Sequence, residues 1–278
     1  MKLLRIGDPG AERPAILDPD GKARDLSGYV DDIAGAALSD EALDRLRAVD
    51  LDALPILEGR IGPCIGRTEK ILCIGLNYSD HAAETGAEPP EEPIFFFKAP
   101  SAICGPDDEV LIPRNSVATD WEVELGVVIG AEARYVSKAD AMAHVVGYCV
   151  ANDVSERDFQ LHRGGQWAKG KSADTFAPIG PWLVTRDEIP DPQALGMWLE
   201  VDGHRYQDGS TATMIFGVAH IVSYVSQFMT LKPGDVISTG TPPGVGLGQK
   251  PPVYLKAGQR MRLGIEGLGE QNQKVGQA

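Results

Sequence analysis

Residues 118–130 read ATDWEVELGVVIG, and this stretch narrows the possible folds more than any other. Val127, Val128 and Ile129 form the continuous apolar run of a strand buried on both faces. Glu122 and Glu124 lie two residues apart, so both side chains point to one face of the same strand. A strand entering a core must therefore dispose of two carboxylates on one side. One solution turns Trp121, Val123 and Leu125 inward and leaves both glutamates in water, as in any half-exposed antiparallel strand. Solvated glutamate is far commoner than liganding glutamate, so this is the ordinary solution. The other requires a partner for the charges.

At 278 residues the chain is long enough for one large domain, or for a catalytic domain with a small appendage. A net charge of -14, with no local run of Lys or Arg, repels phosphate backbones and anionic lipid, which makes nucleic acid and membrane surfaces poor candidate partners. The start, MKLLRIGDPG, is too short for the apolar core of a signal peptide, and no later run reaches the ~20 apolar residues of a membrane span. A cytoplasmic location is expected. Cys64, Cys73, Cys104 and Cys149 form no CxxC pair and read as reduced core residues. His81, His144, His162, His204 and His220 are scattered, which argues against zinc and leaves a hard metal with oxygen ligands as the candidate ion.

The first 65 or so residues read as a small N-terminal α/β domain, with strands at Lys2 to Ile6 and Pro14 to Leu17 and a capped helix from Ser39. Residues 66–278 form the second unit, which is rich in β-structure. Its expected strands lie in KILCIGLNY, HVVGYCVAND, DVISTGT and Arg260 to Ile265, and WLEVDGHRYQ reads as a hairpin turning at Asp202-Gly203. A helix is predicted from about Met214 to Met229, while the polar tail GEQNQKVGQA is expected to fray. Strands and helices do not alternate regularly, so the fold class is α+β, a roll or sandwich rather than a doubly wound parallel sheet.

A third carboxylate, Asp153, stands where the apolar strand HVVGYCVAND gives way to SERDFQLHR, a place equally suited to a helix cap or a turn. Ser155 with Asp158 is an alternative capping pair. If Glu122, Glu124 and Asp153 converge, each pair about 4 Å apart repels by roughly 4 kcal/mol at an effective dielectric near 20. Protonation or a cation must then relieve a cost comparable to the stability of the fold. A divalent ion does so and leaves open positions for water and substrate.

His81 and Glu84, three apart in GLNYSDHAAETG, suit one face of a short helix capped by Asn77 or Ser79, where the carboxylate orients the imidazole as a general base; a solvated surface pair fits the same spacing. Gly75 and Gly86 flank this segment as hinge candidates. Lys169 and Lys171, in WAKGKSADTFAPIGP, are solvated loop residues or, beside a metal, stabilisers of a developing oxyanion. STGTPPGVG resembles an anion cradle with hydroxyls from Thr239 and Thr241, but it lacks the lysine and spacing of a nucleotide-binding loop.

In order along the chain, GLNYSDHAAE, IFFFKAPSAI, DWEVELGVVIG, GYCVANDVSERDFQ, KGKSADTFAPIGP and STGTPPGVG resemble the fumarylacetoacetate hydrolase family over roughly residues 70 to 265. The resemblance implies a mixed β-roll, usually a homodimer, with Glu122, Glu124 and Asp153 as ligands of Mg2+ or Mn2+. It implies His81 and Glu84 as a water-activating pair on a lid helix and Lys171 as the catalytic lysine. Arg157, Gln160 and Thr241 match substrate-contacting positions; a fourth acidic ligand used by some members has no counterpart that can be placed. The implied activity is metal-dependent hydrolysis of a carbon–carbon bond in a 2,4-diketo acid, with L-2,4-diketo-3-deoxyrhamnonate, cleaved to pyruvate and L-lactate, as the nearest substrate. Other activities of such chains are acylpyruvase, fumarylpyruvate hydrolase, oxaloacetate decarboxylase, hydroxymuconate-type isomerase or decarboxylase, and ureidoglycolate lyase. A catalytically silent protein that binds a 2-oxo acid is the non-enzymatic alternative.

Overall fold

The computed structural model describes residues 1–80 and 88–278, and structural statements below refer to these. The strands before the acidic stretch are β1 (Lys2–Ile6), β2 (Arg13–Leu17), β3 (Ala23–Asp25), β4 (Ile71–Gly75), β5 (Ile94–Lys98), β6 (Ile103–Cys104), β7 (Val110–Ile112) and β8 (Thr119–Asp120). They continue with β9 (Val123–Ile129), β10 (Val145–Asn152), β11 (Ser155–Glu156), β12 (Ala177–Thr185), β13 (Gly196–Val201), β14 (His204–Ser210), β15 (Val236–Ser238), β16 (Arg260–Ile265) and β17 (Gly269–Gln277). A mixed sheet runs β3-β2-β1-β12-β10-β9-β15-β4-β5, with β6 beside β12. A second sheet runs β14-β13-β16-β17-β7. The helices are short, as in Asp40–Arg47 and Val218–Val225, so the chain is α+β with a small N-terminal region whose strands extend the large sheet through β1 and β12. No described helix is long and apolar enough to cross a membrane.

The two sheets pack face to face. Trp121, Val123, Leu125, Val127 and Ile129 enter one cluster with Met197, Leu199, Val201, Met261, Leu263 and Val275 of the second sheet. Val128, on the opposite face of β9, packs with Leu38, Leu43 and Leu46 of the N-terminal region. Every residue of β9 is buried. The odd-numbered residues thus face the core as alternation predicts, but the glutamates do not face bulk water: Glu122 is 7% and Glu124 2% exposed.

The hairpin expected around Asp202-Gly203 is formed by β13 and β14, and both turn residues have positive φ (50° and 79°), as a two-residue turn of this hand requires. All four cysteines are free and buried.

Two expectations need correction. The predicted helix from Met214 to Met229 is confined to Val218–Val225. The backbone N–H groups of Ile215 and Phe216 are drawn to O and Oδ1 of Asn77, and Gly217 takes the extended N-cap conformation, so the helix cannot begin earlier. The tail does not fray: Gly269–Gln277 is β17, paired antiparallel with β16 and parallel with β7. Its inward positions are Gln271, Gln273 and Val275. Gln271 Nε2 donates to the carbonyls of Val150, Pro178 and Gly180, at 2.8, 3.3 and 3.1 Å, so amides occupy positions where an apolar side chain is usual.

Candidate metal and substrate site

β9 and β10 are antiparallel neighbours, with Glu124 opposite Ala151 and Val123 opposite Asn152. This register brings the start of β9 beside the end of β10, where the N–H of Asp153 donates to the carbonyl of Glu122 at 2.9 Å. Residues thirty positions apart thereby share one place. Glu122, Glu124 and Asp153 are all buried and each offers an oxygen within 4.8 Å of the others. Asp153 caps no helix. The cap of Arg157–Leu161 is Glu156, whose side chain accepts from Asp158 N, while Ser155 Oγ donates to the carbonyl of Asp153.

The carboxylates are not left to a metal alone. Lys171 Nζ donates to Glu122 Oε2 at 2.7 Å and to Asp153 Oδ2 at 2.8 Å. Arg157 donates through Nη2 to Glu122 Oε1 at 2.7 Å and through Nε to Asp120 Oδ2 at 2.8 Å. Lys98, itself buried, pairs with Asp153 Oδ1 and donates to the carbonyl of Val154 at 3.0 Å. Part of the relief comes from the chain itself, because the three cations Lys98, Arg157 and Lys171 share the work. With Asp120 included, four carboxylates face three cations, which leaves one negative charge in excess when all are ionised.

The excess falls on Glu124. Burial pushes its carboxyl well above the usual range, Asp153 and Glu122 push it further, and Lys171 and the Ser238 hydroxyl offset only part of this. Its Oε2 accepts from Ser238 Oγ at 2.6 Å and Gly240 N at 2.8 Å. Burial also opposes ionisation of Glu122, but Lys171 and Arg157 outweigh it and hold that carboxyl far below its ordinary value. Burial works against charge on Lys171 too, yet Asp153 and Glu122 raise it well above a normal lysine, so the amine stays an ammonium. A buried set of hard oxygen donors with unbalanced negative charge fits a small divalent cation of the magnesium or manganese type.

These groups open onto a cavity of about 250 Å³. Glu122, Glu124, Arg157, Gln160, Lys171 and Thr241 supply its polar part. Gln160 Oε1 accepts from Arg157 Nη1 at 3.1 Å, and Thr241 Oγ1 donates to the carbonyl of Val123 at 3.0 Å while accepting from Gln207 Nε2 at 2.7 Å. The anion cradle suggested by STGTPPGVG is turned inward: Ser238 and Gly240 serve Glu124, and Thr239 Oγ1 donates to the carbonyl of Leu125. Lys169 is exposed and donates to the carbonyl of Arg163, away from the carboxylates.

His81, Glu84 and Gly86 lie outside the described residues. The helix that Asn77 or Ser79 was expected to cap falls largely on that stretch, and Asn77 itself is hydrogen-bonded to other elements. Its amide donates to the carbonyls of Phe216 and Thr239, fixing the end of β4 over the site.

Two participants were missed in the sequence. Lys98 ends the aromatic run IFFFK, where a lysine on an otherwise apolar strand was the available signal. Asp120 shares the parity of Glu122 and Glu124 and so belongs to the same face. It accepts from Gly246 N at 2.6 Å and Leu247 N at 2.9 Å, which ties that loop to Arg157.

Residues 70–276 match the sequence profile of the fumarylacetoacetate (FAA) hydrolase C-terminal family. A relative from Burkholderia multivorans, named no more closely than a candidate hydrolase, is 65% identical over 276 residues and covers 98% of each chain. The fumarylacetoacetate hydrolase of psychrophilic Exiguobacterium antarcticum superposes with a TM-score of 0.87 at 37% identity over the whole of both chains. The maleylpyruvate hydrolase of Sphingobium sp. SYK-6, solved with manganese(II) and pyruvate, superposes with a TM-score of 0.82 at 28% identity, again over both full chains. On the profile, the whole-chain similarity and the shared fold, this chain belongs to the fumarylacetoacetate hydrolase family, whose enzymes cleave carbon–carbon bonds in keto acids.

Proposed function

We propose that the protein is a metal-dependent hydrolase of a 2,4-diketo acid, releasing pyruvate and a carboxylic acid. The observation that carries this reading is the buried triad of Glu122, Glu124 and Asp153, crossed by Lys171, with Glu122 and Glu124 lining a cavity. Glu122, Glu124 and Asp153 would hold a divalent ion, which would supply Lewis acidity toward the 2-oxo carboxylate end of the substrate.

Arg157 and Gln160, hydrogen-bonded to one another on the cavity wall, orient that end of the substrate, and Thr241 faces it from the loop after β15. His81 and Glu84 take a proton from water, whose oxygen bonds to the distal carbonyl carbon. Lys171, kept protonated by its carboxylate neighbours, donates to the oxygen on which charge develops. The bond from that carbon to the methylene then breaks; its electron pair stays with the pyruvate fragment, which takes up a proton. General base assistance of about 10²- to 10⁴-fold corresponds to roughly 3–5 kcal/mol of barrier.

L-2,4-diketo-3-deoxyrhamnonate is the substrate to which the sequence resemblance points. Steady-state assays with Mg2+ on that acid, acylpyruvates and oxaloacetate test the reading. Hydrolysis of a diketo acid with one equivalent of pyruvate is expected. Oxaloacetate decarboxylation faster than every hydrolysis would replace the reaction class, and no turnover by metal-loaded protein would leave a 2-oxo acid binding protein.

A further inference from the structure

The apolar part of the cavity lining is built of Ile74, Leu76, Phe96, Leu161, Trp167 and Leu247. It is held firmly. The ring of Trp167 rests where a Cβ on Gly75 would sit, 2.8 Å from that position, and meets Phe96 edge-on with centroids 5.3 Å apart. Phe96 in turn lies 5.1 Å from the Lys171 ammonium, so the apolar wall begins where the charged groups end. Leu76 has φ 52°, a left-handed conformation costly for a bulky residue, and is anchored there by the side chain of its neighbour Asn77.

The described lining contains two cations, and both are committed: Arg157 to Asp120 and Glu122, and Lys171 to Glu122 and Asp153. A second carboxylate at the distal end of a substrate would meet hydrocarbon without a counter-ion, a placement strongly disfavoured for an ionised group. The volume of about 250 Å³ lies just below the roughly 300–1,000 Å³ of drug-sized sites and suits a small acid.

Resting on the 2-oxo acid reading above, we propose that this wall selects substrates with one carboxylate and an uncharged, largely apolar acyl end, and rejects diacids. Trp167 and Leu161 are the specificity-determining residues. The first forms the apolar face, and the second, at the end of the helix that carries Arg157 and Gln160, borders the mouth.

The test is calorimetric binding of 2-oxohexanoate and 2-oxohexanedioate, equal in length and different by one terminal carboxylate, to the Mg2+-loaded protein. We expect the monoacid to bind about 100-fold more tightly, equivalent to roughly 2.8 kcal/mol. Leu161→Arg is expected to narrow or invert the ratio by supplying a counter-ion, and Trp167→Ala to weaken the monoacid more than the diacid. Equal binding of the two acids, or tighter binding of the diacid, by the unmodified chain would overturn the selectivity while leaving the oxo-acid site in place. Binding of neither acid to metal-loaded protein would remove the oxo-acid reading and this inference together.

Discussion

The ammonium of Lys171 donates to Oε2 of Glu122 across 2.7 Å, joining a helix end to the start of the central strand inside the protein. The same nitrogen reaches Asp153, so one lysine spans two carboxylates of the triad. Lysine rather than arginine suits the position: a compact ammonium with three donors serves two carboxylates and keeps a donor for substrate.

Replacing Lys171 by methionine should therefore separate catalysis from metal binding. We expect kcat to fall about 10²- to 10³-fold, the scale of losing one donor to a developing oxyanion. Metal should bind at least as tightly as in the parent, because a competing positive charge has left the triad. Rapid-quench turnover alongside metal titration checks both; weaker metal binding with unchanged turnover would contradict the assignment.

His81→Ala is expected to abolish hydrolysis while leaving metal affinity intact, since the imidazole is assigned to water and not to the ion. Pyruvate release and Mn2+ binding measured on one preparation decide the matter. A variant as fast as the parent would refute water activation by this pair.

The C-terminal strand depends on amides in the core. Gln271→Ala strips three backbone carbonyls of their donor and should destabilise the fold by about 1–3 kcal/mol in urea denaturation. An unchanged midpoint would mean that other groups satisfy those carbonyls.

Acid sensitivity should be traceable to Asp108. Burial alone would raise its carboxyl, but hydrogen bonds from Arg60 and the N–H of Gly105 more than offset this and hold it below the ordinary value. Arg60 is shifted upward in turn, chiefly by its hydrogen bond to Asp108 against the opposing effect of burial. A carboxyl depressed in the folded state contributes stability that is complete above the unfolded value of about 3.9 and is lost as pH falls through the lower folded value. Asp108→Asn should thus lower stability at neutral pH and flatten the loss below about pH 4 in thermal unfolding. Parallel profiles for variant and parent would exclude this pair as a source of acid sensitivity.

How much of this was legible in the sequence depended on whether side-chain chemistry and periodicity agreed. β9 and β10 declared themselves through the apolar runs that end the one and fill most of the other, and the hairpin through Asp202-Gly203. β17 did not, because Gln271 and Gln273 occupy inward positions and read as a polar tail. The acidic face was visible as a parity pattern and Lys171 was singled out beside it, whereas Lys98 and the counter-ion role of Arg157 were not, because these two reach it from separate elements. The late start of the helix expected from Met214 was likewise hidden, being imposed by Asn77 more than 130 residues away.

Titration of the purified chain with Mn2+, followed by calorimetry and by the resonance of the free ion, tests the central claim most directly. One ion per chain is predicted, with Glu124→Gln folded but binding at least about 100-fold more weakly, a loss at the top of the range for outer-shell partners alone. A parent chain that binds no ion, or a variant that binds as tightly as the parent, would contradict a metal site at Glu122, Glu124 and Asp153.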